Sequence, residues 1–404
     1  MQTALIVALY LVEVPYLALM IMVIVGALRS TPLKRTSATP SVSVIVPAHD
    51  EERDLPATLA SLAAQEYGGR LEFVVIDDRS TDGTAAVIER FAREDPRFRP
   101  VSVTAPSRRL APKVNAVEHG LRAATGELVL ATDADCVHDR RWVAGMASYF
   151  AADVVMVAGY VSTSRRGEAR TLLDRFESVD WFTLMLVSRS LTRFGLRFAS
   201  SANNLAYRRS AFEAVGGFGA AGRAPSGDED LLTQKLGRLP GAKVVFADDH
   251  RCRVLTRGAE GAPQLLRQQR RWVSRYHHVL HYHPGFLAGI AILGLQSVLL
   301  TLAVLLCPVL PGLVPWVLGL WAVKAGIEFV GMGVGTRQWD RRDLWGVSTL
   351  WWSLLHPPFI ATASIGSFLK PSAWYAGADG YRRRYLQRRL REFRRRARQG
   401  LARP

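Results

Sequence analysis

The chain has 404 residues, of which 49% are hydrophobic, and a formal net charge of +17 at pH 7. This length allows two or three domains, and the apolar content is sufficient for a packed core. The three cysteines, Cys136, Cys252 and Cys307, lie far apart and lack CxxC or CxxH spacing. That pattern excludes a disulfide framework and a cysteine-bound zinc site, and it indicates a reducing compartment for the soluble part.

A long apolar segment, residues 4–28, comes first in the chain. It exceeds the roughly 20 residues that a helix needs to cross a bilayer. Arg29, Lys34 and Arg35 follow it directly. Because positive charge stays on the cytoplasmic side, we predict that residues 1–30 form a transmembrane anchor, not a cleaved signal peptide, and that the chain continues in the cytoplasm.

Residues 40–280 alternate between strand and helix patterns. The predicted strands cover 41–46, 71–78, 100–104 and 127–135, with helical patterns between them. This alternation predicts an α/β domain with a mostly parallel sheet that helices cover on both faces. Ligands bind beyond the carboxyl ends of such strands, and polar clusters follow the first, second and fourth of them.

Two carboxylates, Asp133 and Asp135, end the fourth predicted strand in "ELVLATDAD". Residues two apart on an extended backbone face the same side, so both acids can approach one target. Two close carboxylates repel each other unless a cation lies between them, and oxygen ligands suit Mg²⁺ or Mn²⁺. The alternative is a solvated turn that happens to contain two acids.

Further polar candidates precede or follow the other predicted helices. Asp78 ends the second strand in "VVIDDRSTDGT", where it either contacts a nucleotide base or helps to start a helix capped by Ser80 or Asp82. Lys113 precedes a helix and either neutralises phosphate or is solvated. The acids of "GDEDLL" (227–232) either cap a helix or include a general base.

Two basic and aromatic segments indicate contact with the bilayer surface. Residues 172–198 are suited to lie there and to admit a lipid-like molecule. Residues 265–284 precede an apolar run and place Gln268, Arg271 and Trp272 on one helix face. The four histidines at 277, 278, 281 and 283 lack the spacing and the carboxylate of a metal site.

The carboxyl-terminal part, residues 285–369, is predicted to hold transmembrane and re-entrant segments. Residues 285–307 and 312–333 are long enough to span, whereas "HPP" at 356–358 breaks the run from 344 to 369. We expect that last run to be re-entrant or interfacial, because the tail 370–404 is strongly basic and belongs in the cytoplasm. Beside a membrane, this tail is expected to contact anionic lipids and no nucleic acid.

The motifs of residues 40–280, in their order, resemble those of the family 2 glycosyltransferases. They are "VSVIVPAHDEE", "VVIDDRSTDGT", "PKVNAVEHGL", "TDADC", "NNLAYRRSAFEAVGGF", "GDEDLL" and "QQRRW". The resemblance implies a GT-A fold, Rossmann-like with a mostly parallel sheet, and an inverting transfer from a nucleotide-sugar donor, with a UDP-sugar as the expected donor. In this family Asp133 and Asp135 would position the donor with Mg²⁺ or Mn²⁺, Asp78 would contact the base, and Lys113 the diphosphate.

The resemblance also assigns the acceptor side of the site. Asp230 matches the general base, Asp228 is a rival for a supporting role because this chain has "GDED", and Gln268, Arg271 and Trp272 match the QxxRW set near acceptor and diphosphate. A cytoplasmic domain on membrane helices implies a lipid or lipid-like acceptor and a bacterial plasma-membrane protein. The alternative is a processive polysaccharide synthase of the cellulose, chitin or hyaluronan synthase type, which a QxxRW motif also suits.

Two other classes fit less well. A glycoside hydrolase needs its carboxylates about 5 to 9.5 Å apart across the scissile bond, whereas the predicted pair is adjacent. A non-catalytic scaffold is disfavoured because every expected acid is present.

Overall fold

The computed structural model of the chain describes residues 2–29, 34–107, 109–165, 167–197, 201–219, 222, 228–273 and 284–369. The basic tail and the four histidines between 277 and 283 therefore lie outside the described residues. The strands are β1 (Val42–Ala48), β2 (Leu71–Asp77), β3 (Phe98–Ser102), β4 (Leu128–Ala131), β5 (Cys136–His138), β6 (Val154–Gly159), β7 (Val161–Ser162), β8 (Leu205–Arg208), β9 (Lys243–Ala247) and β10 (Val254–Thr256).

Some helices surround the sheets, and others form the long apolar segments in the amino- and carboxyl-terminal parts of the chain. They are α1 (Gln2–Leu28), α2 (Leu55–Ala63), α3 (Thr84–Glu94), α4 (Pro112–Ala123), α5 (Trp142–Ala147), α6 (Leu172–Thr192), α7 (Arg209–Ala214), α8 (Asp228–Leu236), α9 (Ala262–Val273), α10 (Pro284–Leu306), α11 (Val314–Gln338) and α12 (Val347–Leu369).

A seven-stranded sheet with the order β3-β2-β1-β4-β8-β6-β9 forms the centre of the α/β domain. Neighbouring strands are parallel except where β8 runs antiparallel to β4 and β6. β1 is buried on both faces, as its run of β-branched residues requires in a sheet covered by helices. The predicted mostly parallel α/β architecture is confirmed, and β1, β2 and β4 end side by side at one edge.

A second, three-stranded sheet has the order β5-β10-β7. β10 pairs antiparallel with β5, which sets Thr256 opposite Cys136. This pairing carries the segment after residue 254 to the position directly after β4. The small sheet therefore completes the edge at which the polar clusters meet.

Three helices are long and apolar enough to cross a membrane, judged by length and composition among the described residues: Gln2–Leu28, Leu287–Leu306 and Pro311–Gln338. They coincide with the three predicted spans.

The predicted break at 356–358 is wrong, because α12 continues through Pro357 and Pro358. The missing N–H of Pro357 leaves the Ser353 carbonyl without its helical partner. That oxygen instead accepts from Trp321 Nε1 at 3.2 Å and from Lys324 Nζ at 3.3 Å.

The segment between α11 and α12 joins the apolar helices to the α/β domain. Trp339 is buried, and its ring lies 4.6 Å from that of Tyr160 and 5.4 Å from that of Phe182. Arg341 Nη1 donates to Ser162 Oγ at 2.7 Å. These contacts hold the ends of α11 and α12 against the part of the α/β domain that contains β6 and β7.

Candidate active site

The acid pair follows β4 in a turn and not on the strand itself. β4 ends at Ala131, so the prediction that an extended backbone aligns Asp133 and Asp135 is wrong. The turn still brings the two carboxylates together, and burial followed by the charge of Asp133 raises the pKa of Asp135. The strand is short because the chain reverses into β5, which pairs in the second sheet.

Lys113 and Thr256 contact the two acids. Lys113, at the start of α4, donates from Nζ to Asp133 Oδ1 at 2.6 Å. Thr256 Oγ1 donates to Asp135 Oδ2 at 3.2 Å. The structure thus joins Lys113 to the acid pair, whereas its predicted contact with a diphosphate stays a prediction. It also adds Thr256, which sequence reasoning missed because the contact depends on the pairing of β10 with β5.

A divalent cation fits this donor set when a substrate supplies further oxygens. Among the described residues no group of three or more His, Cys, Asp or Glu side chains could hold a metal by itself. Asp133 and Asp135 provide two carboxylates with a destabilising mutual repulsion. Mg²⁺ typically binds through one or two carboxylates together with phosphate oxygens, so the pair suits a cation that arrives with a diphosphate.

Asp78 lies at the same edge, two strands away across β1, which is roughly 10 Å at the usual strand spacing. It is 0% exposed; Oδ1 accepts from Arg79 Nε at 2.8 Å, and Oδ2 has no hydrogen-bond partner among the described residues. The predicted cap at Ser80 or Asp82 is wrong, because Gly83 is the N-cap residue of α3 and makes no side-chain cap bond. Asp82 Oδ1 accepts from Thr84 N at 3.0 Å from the position before the cap. Asp78 therefore keeps an acceptor that suits the N–H of a base.

The loops after β1 and β2 are bonded to one another around this acceptor. Asp50 and Arg79 both have left-handed backbones, with φ of 55° and 61°. Asp50 Oδ1 accepts from Thr81 N at 2.6 Å, and Asp50 N donates to Ser80 Oγ at 3.1 Å. Strained backbones that a network fixes in this way are typical of ligand-binding edges.

Glu51 is a further acid that sequence reasoning missed. Burial, followed by the charges of Asp135 and Asp54, raises its pKa to about 7. The signal was present in the repeated acids of "HDEE", but the sequence alone did not show that Glu51 faces the fourth strand. This glutamate adds a third acidic group beside the acid pair.

The predicted general base lies in the first turn of α8. Asp230 is 1% exposed and precedes Leu231 and Leu232, which are part of the hydrophobic core. The side chain of Asp228, its predicted rival, lies outside the described residues. The base role of Asp230 stays a prediction from the family resemblance.

The predicted QxxRW set lies on α9, where Gln268, Arg271 and Trp272 are all partly exposed. Trp272 packs edge-on against Trp181 of α6, with 5.0 Å between ring centroids. α9 also packs against α12. The set thus lies where the α/β domain meets the apolar helices, and its role in acceptor binding stays a prediction.

Comparison with known proteins decides the family. The family model "Glycosyl transferase family 2" matches residues 43–216. An N-acetylglucosaminyltransferase of Bradyrhizobium sp. is 35% identical over 112 residues, which are 27% of this chain and 71% of that protein. The chain belongs to glycosyl transferase family 2. The family and the enzyme class predicted from the motifs are therefore confirmed.

The alignments with curated relatives cover only part of the length of those relatives. An N-acetylglucosaminyltransferase of Sinorhizobium fredii is 33% identical over 186 residues, 45% of this chain and 44% of that protein. The family 2 chain described here therefore spans about half the length of such relatives.

A solved structure supports the fold across nearly the whole chain. A mannosyltransferase from Pyrobaculum calidifontis, solved in complex with GDP-Man and Mn²⁺, aligns with a TM-score of 0.58 and 19% identity. The alignment covers 91% of this chain and 99% of that one. The predicted fold, a GT-A domain flanked by apolar helices, is confirmed.

Proposed function

We propose that this family 2 chain transfers a sugar, with inversion, from a nucleotide-sugar donor to a hydroxyl group of a membrane lipid. The observation that carries the proposal is the cluster of Lys113, Asp133 and Asp135 at the edge where Asp78 keeps a free acceptor. Such a cluster has the chemistry to hold a diphosphate at one end and a base at the other.

On the donor side, Asp78 accepts a hydrogen bond from the base, and the ammonium of Lys113 binds diphosphate oxygens. Asp133 and Asp135 would hold a divalent cation, Mg²⁺ or Mn²⁺, which when bound would neutralise negative charge on the diphosphate. The mannosyltransferase of similar fold is described as a complex with Mn²⁺, which supports a metal of this kind. Thr256 orients Asp135 through its hydroxyl.

On the acceptor side, Asp230 removes the proton from the attacking hydroxyl. The oxygen then bonds to the anomeric carbon from the face opposite the diphosphate, whose bond to that carbon breaks. The configuration is inverted because a single displacement occurs. Gln268, Arg271 and Trp272 orient acceptor and diphosphate, as their place between domain and apolar helices supports.

The names of the relatives support an N-acetylglucosaminyl group as the sugar, which makes UDP-GlcNAc the first donor to test. The apolar helices support a lipid acceptor and a plasma-membrane enzyme whose α/β domain lies in the cytoplasm. A processive synthase would instead extend one product by many sugars.

The test uses the full-length protein in phosphatidylcholine vesicles with diacylglycerol, UDP-GlcNAc and Mn²⁺. We expect a lipid product with one added sugar, and no product with excess EDTA or in the Asp135→Asn variant. The exposed Asp153→Asn is the matched control and should behave as the wild type. Turnover that persists in EDTA would contradict the metal assignment, and a polymeric product would favour the synthase.

A further inference from the structure

Three polar side chains meet between α6 and α12, outside the catalytic cluster. Asp180 Oδ1 on α6 accepts from Trp352 Nε1 at 3.1 Å and lies 3.5 Å from His356 Nε2, both on α12. The side chains of Asp180 and His356 are 11% and 16% exposed, so the pair is recessed but not sealed. Burial raises the pKa of Asp180 to about 6. A carboxylate and an imidazole in this position can both exchange hydrogen bonds with a ligand.

This group is connected to the catalytic cluster through Glu177, one turn before Asp180 on α6. The Glu177 carboxylate accepts from Ala259 N at 2.9 and 3.1 Å. Ala259 follows Thr256 by three residues, and Thr256 bonds Asp135. A short row of polar groups therefore leads from the metal-binding acids to the contact between α6 and α12.

A hydrogen-bond donor without a partner among the described residues lies on the residue after Asp180 in α6. Trp181 is 6% exposed, and its Nε1 has no hydrogen-bond partner among the described residues. Buried indole N–H groups usually have an acceptor, because leaving one unpaired costs free energy. Trp181 also packs against Trp272, which belongs to the predicted acceptor set.

The outer face of α12 is apolar, in contrast to the polar side chains that face α6. Leu350, Trp351, Leu354 and Leu355 are each about half exposed. The same helix thus presents polar side chains towards α6 and large apolar side chains outwards. A ligand that fits both faces has a polar head and a hydrocarbon chain.

We propose that the partly exposed pair of Asp180 and His356, at the contact between α6 and α12, binds the head group of the hydroxyl-bearing lipid acceptor. Asp180 and His356 bond the hydroxyl groups of the head, Trp181 Nε1 donates to one of its oxygens, and the hydrocarbon chain follows the outer face of α12. This inference rests on the proposed function and names where its acceptor enters. A role confined to packing α12 on α6 is the alternative.

Two conservative substitutions separate these roles. Asp180→Asn keeps the shape and one oxygen for Trp352, and His356→Gln keeps a polar group. We expect each to raise the apparent KM for diacylglycerol about tenfold, the effect of losing about one hydrogen bond. The maximal transfer rate and the slow release of UDP from UDP-GlcNAc without lipid should stay at the wild-type level. Asp153→Asn and His250→Gln, both exposed, are the matched controls.

A second measurement does not depend on transfer. A diacylglycerol with a diazirine in its acyl chain is photolysed with the wild-type protein in phosphatidylcholine vesicles, and the labelled peptides are mapped. We expect labels on α12 near 350–359 that unlabelled diacylglycerol displaces and that both variants lose. Absence of such labels in the wild type overturns the inference, whether or not transfer occurs.

The KM values, the release of UDP without lipid and the labelling together separate lipid binding from helix packing. Unchanged KM in both variants overturns the inference while leaving the proposed function intact. Loss of lipid-free UDP release together with a lower Tm in both variants assigns the residues to packing and overturns it as well. Wild-type labelling without any transfer supports the lipid site and contradicts the proposed function.

Discussion

At the scale of single residues, the charges of Lys113, Asp133 and Asp135 support the proposed divalent cation. Lys113 carries one positive charge beside the two carboxylates of Asp133 and Asp135. A diphosphate adds further negative charge at the same place, so the cluster would repel its own substrate. Asp133 and Asp135 would hold a divalent cation that offsets this negative charge, and the Lys113 ammonium, which bonds Asp133 here, would then be able to bond a phosphate oxygen in its place.

The first prediction at this scale concerns the general base. Asp230→Asn should lower the transfer rate by at least about 100-fold, the usual contribution of a positioned base, while donor affinity stays within about twofold. Calorimetric titration with UDP-GlcNAc and Mn²⁺ measures the affinity, and product formation measures the rate. Asp153→Asn is the control, and equal loss of binding and transfer would remove Asp230 from the base role.

At the scale of elements, α6 decides how the domain meets the apolar helices. It begins with a capping box between Thr171 and Asp174 and then buries most of its length against α1, α12 and the sheet. The sequence predicted that this segment lies at the bilayer surface. Protein covers it on several sides, and Arg189 Nε donates inward to Asp248 Oδ1 at 2.5 Å. Its position at the bilayer surface stays a prediction.

The second prediction uses the buried acid of that helix. Burial mainly raises the pKa of Glu177 from its ordinary 4.5 to about 7, with smaller contributions from the charges of Asp180 and Asp174. The folded chain therefore binds more protons than the unfolded chain between these values. The free energy of unfolding should fall as pH rises from about 4.5 to 7, by at most about 3 kcal/mol for this group.

Glu177→Gln should flatten that part of the pH dependence. Thermal unfolding in detergent, followed from pH 4.5 to 8, measures the difference between variant and wild type. Asp153→Asn serves as the surface control, and parallel pH profiles for Glu177→Gln and the wild type would contradict the prediction.

At the scale of the whole molecule, the directions of the apolar helices support the proposal that the α/β domain lies on one side of a membrane. The Ala27 carbonyl at the end of α1 accepts from Arg189 Nη1 at 3.1 Å and from Gln338 Nε2 at the end of α11. α1 therefore ends, and α11 returns, beside the domain. α12 begins on that same side, and its interfacial or re-entrant course and the cytoplasmic tail stay predictions.

The corresponding prediction is that protease added to sealed inside-out vesicles digests residues 40–280. Antibodies against tags at the two termini identify the fragments, and right-side-out vesicles are the control. We expect cleavage in the first preparation and protection in the second, because Arg29, Lys34 and Arg35 hold the domain inside. The reverse result would overturn the proposed topology.

The sequence by itself determined the family, the mostly parallel α/β domain and the three apolar helices, because these follow from local periodicity and from motifs within short segments. Tertiary structure decided the rest. The meeting of Thr256 with Asp135, and of Asp180 with His356, joins residues that are far apart in the chain. Whether α12 breaks at its prolines depended on Trp321 and Lys324 of another helix. Such contacts depend on packing between elements, and packing has no local signature in the sequence.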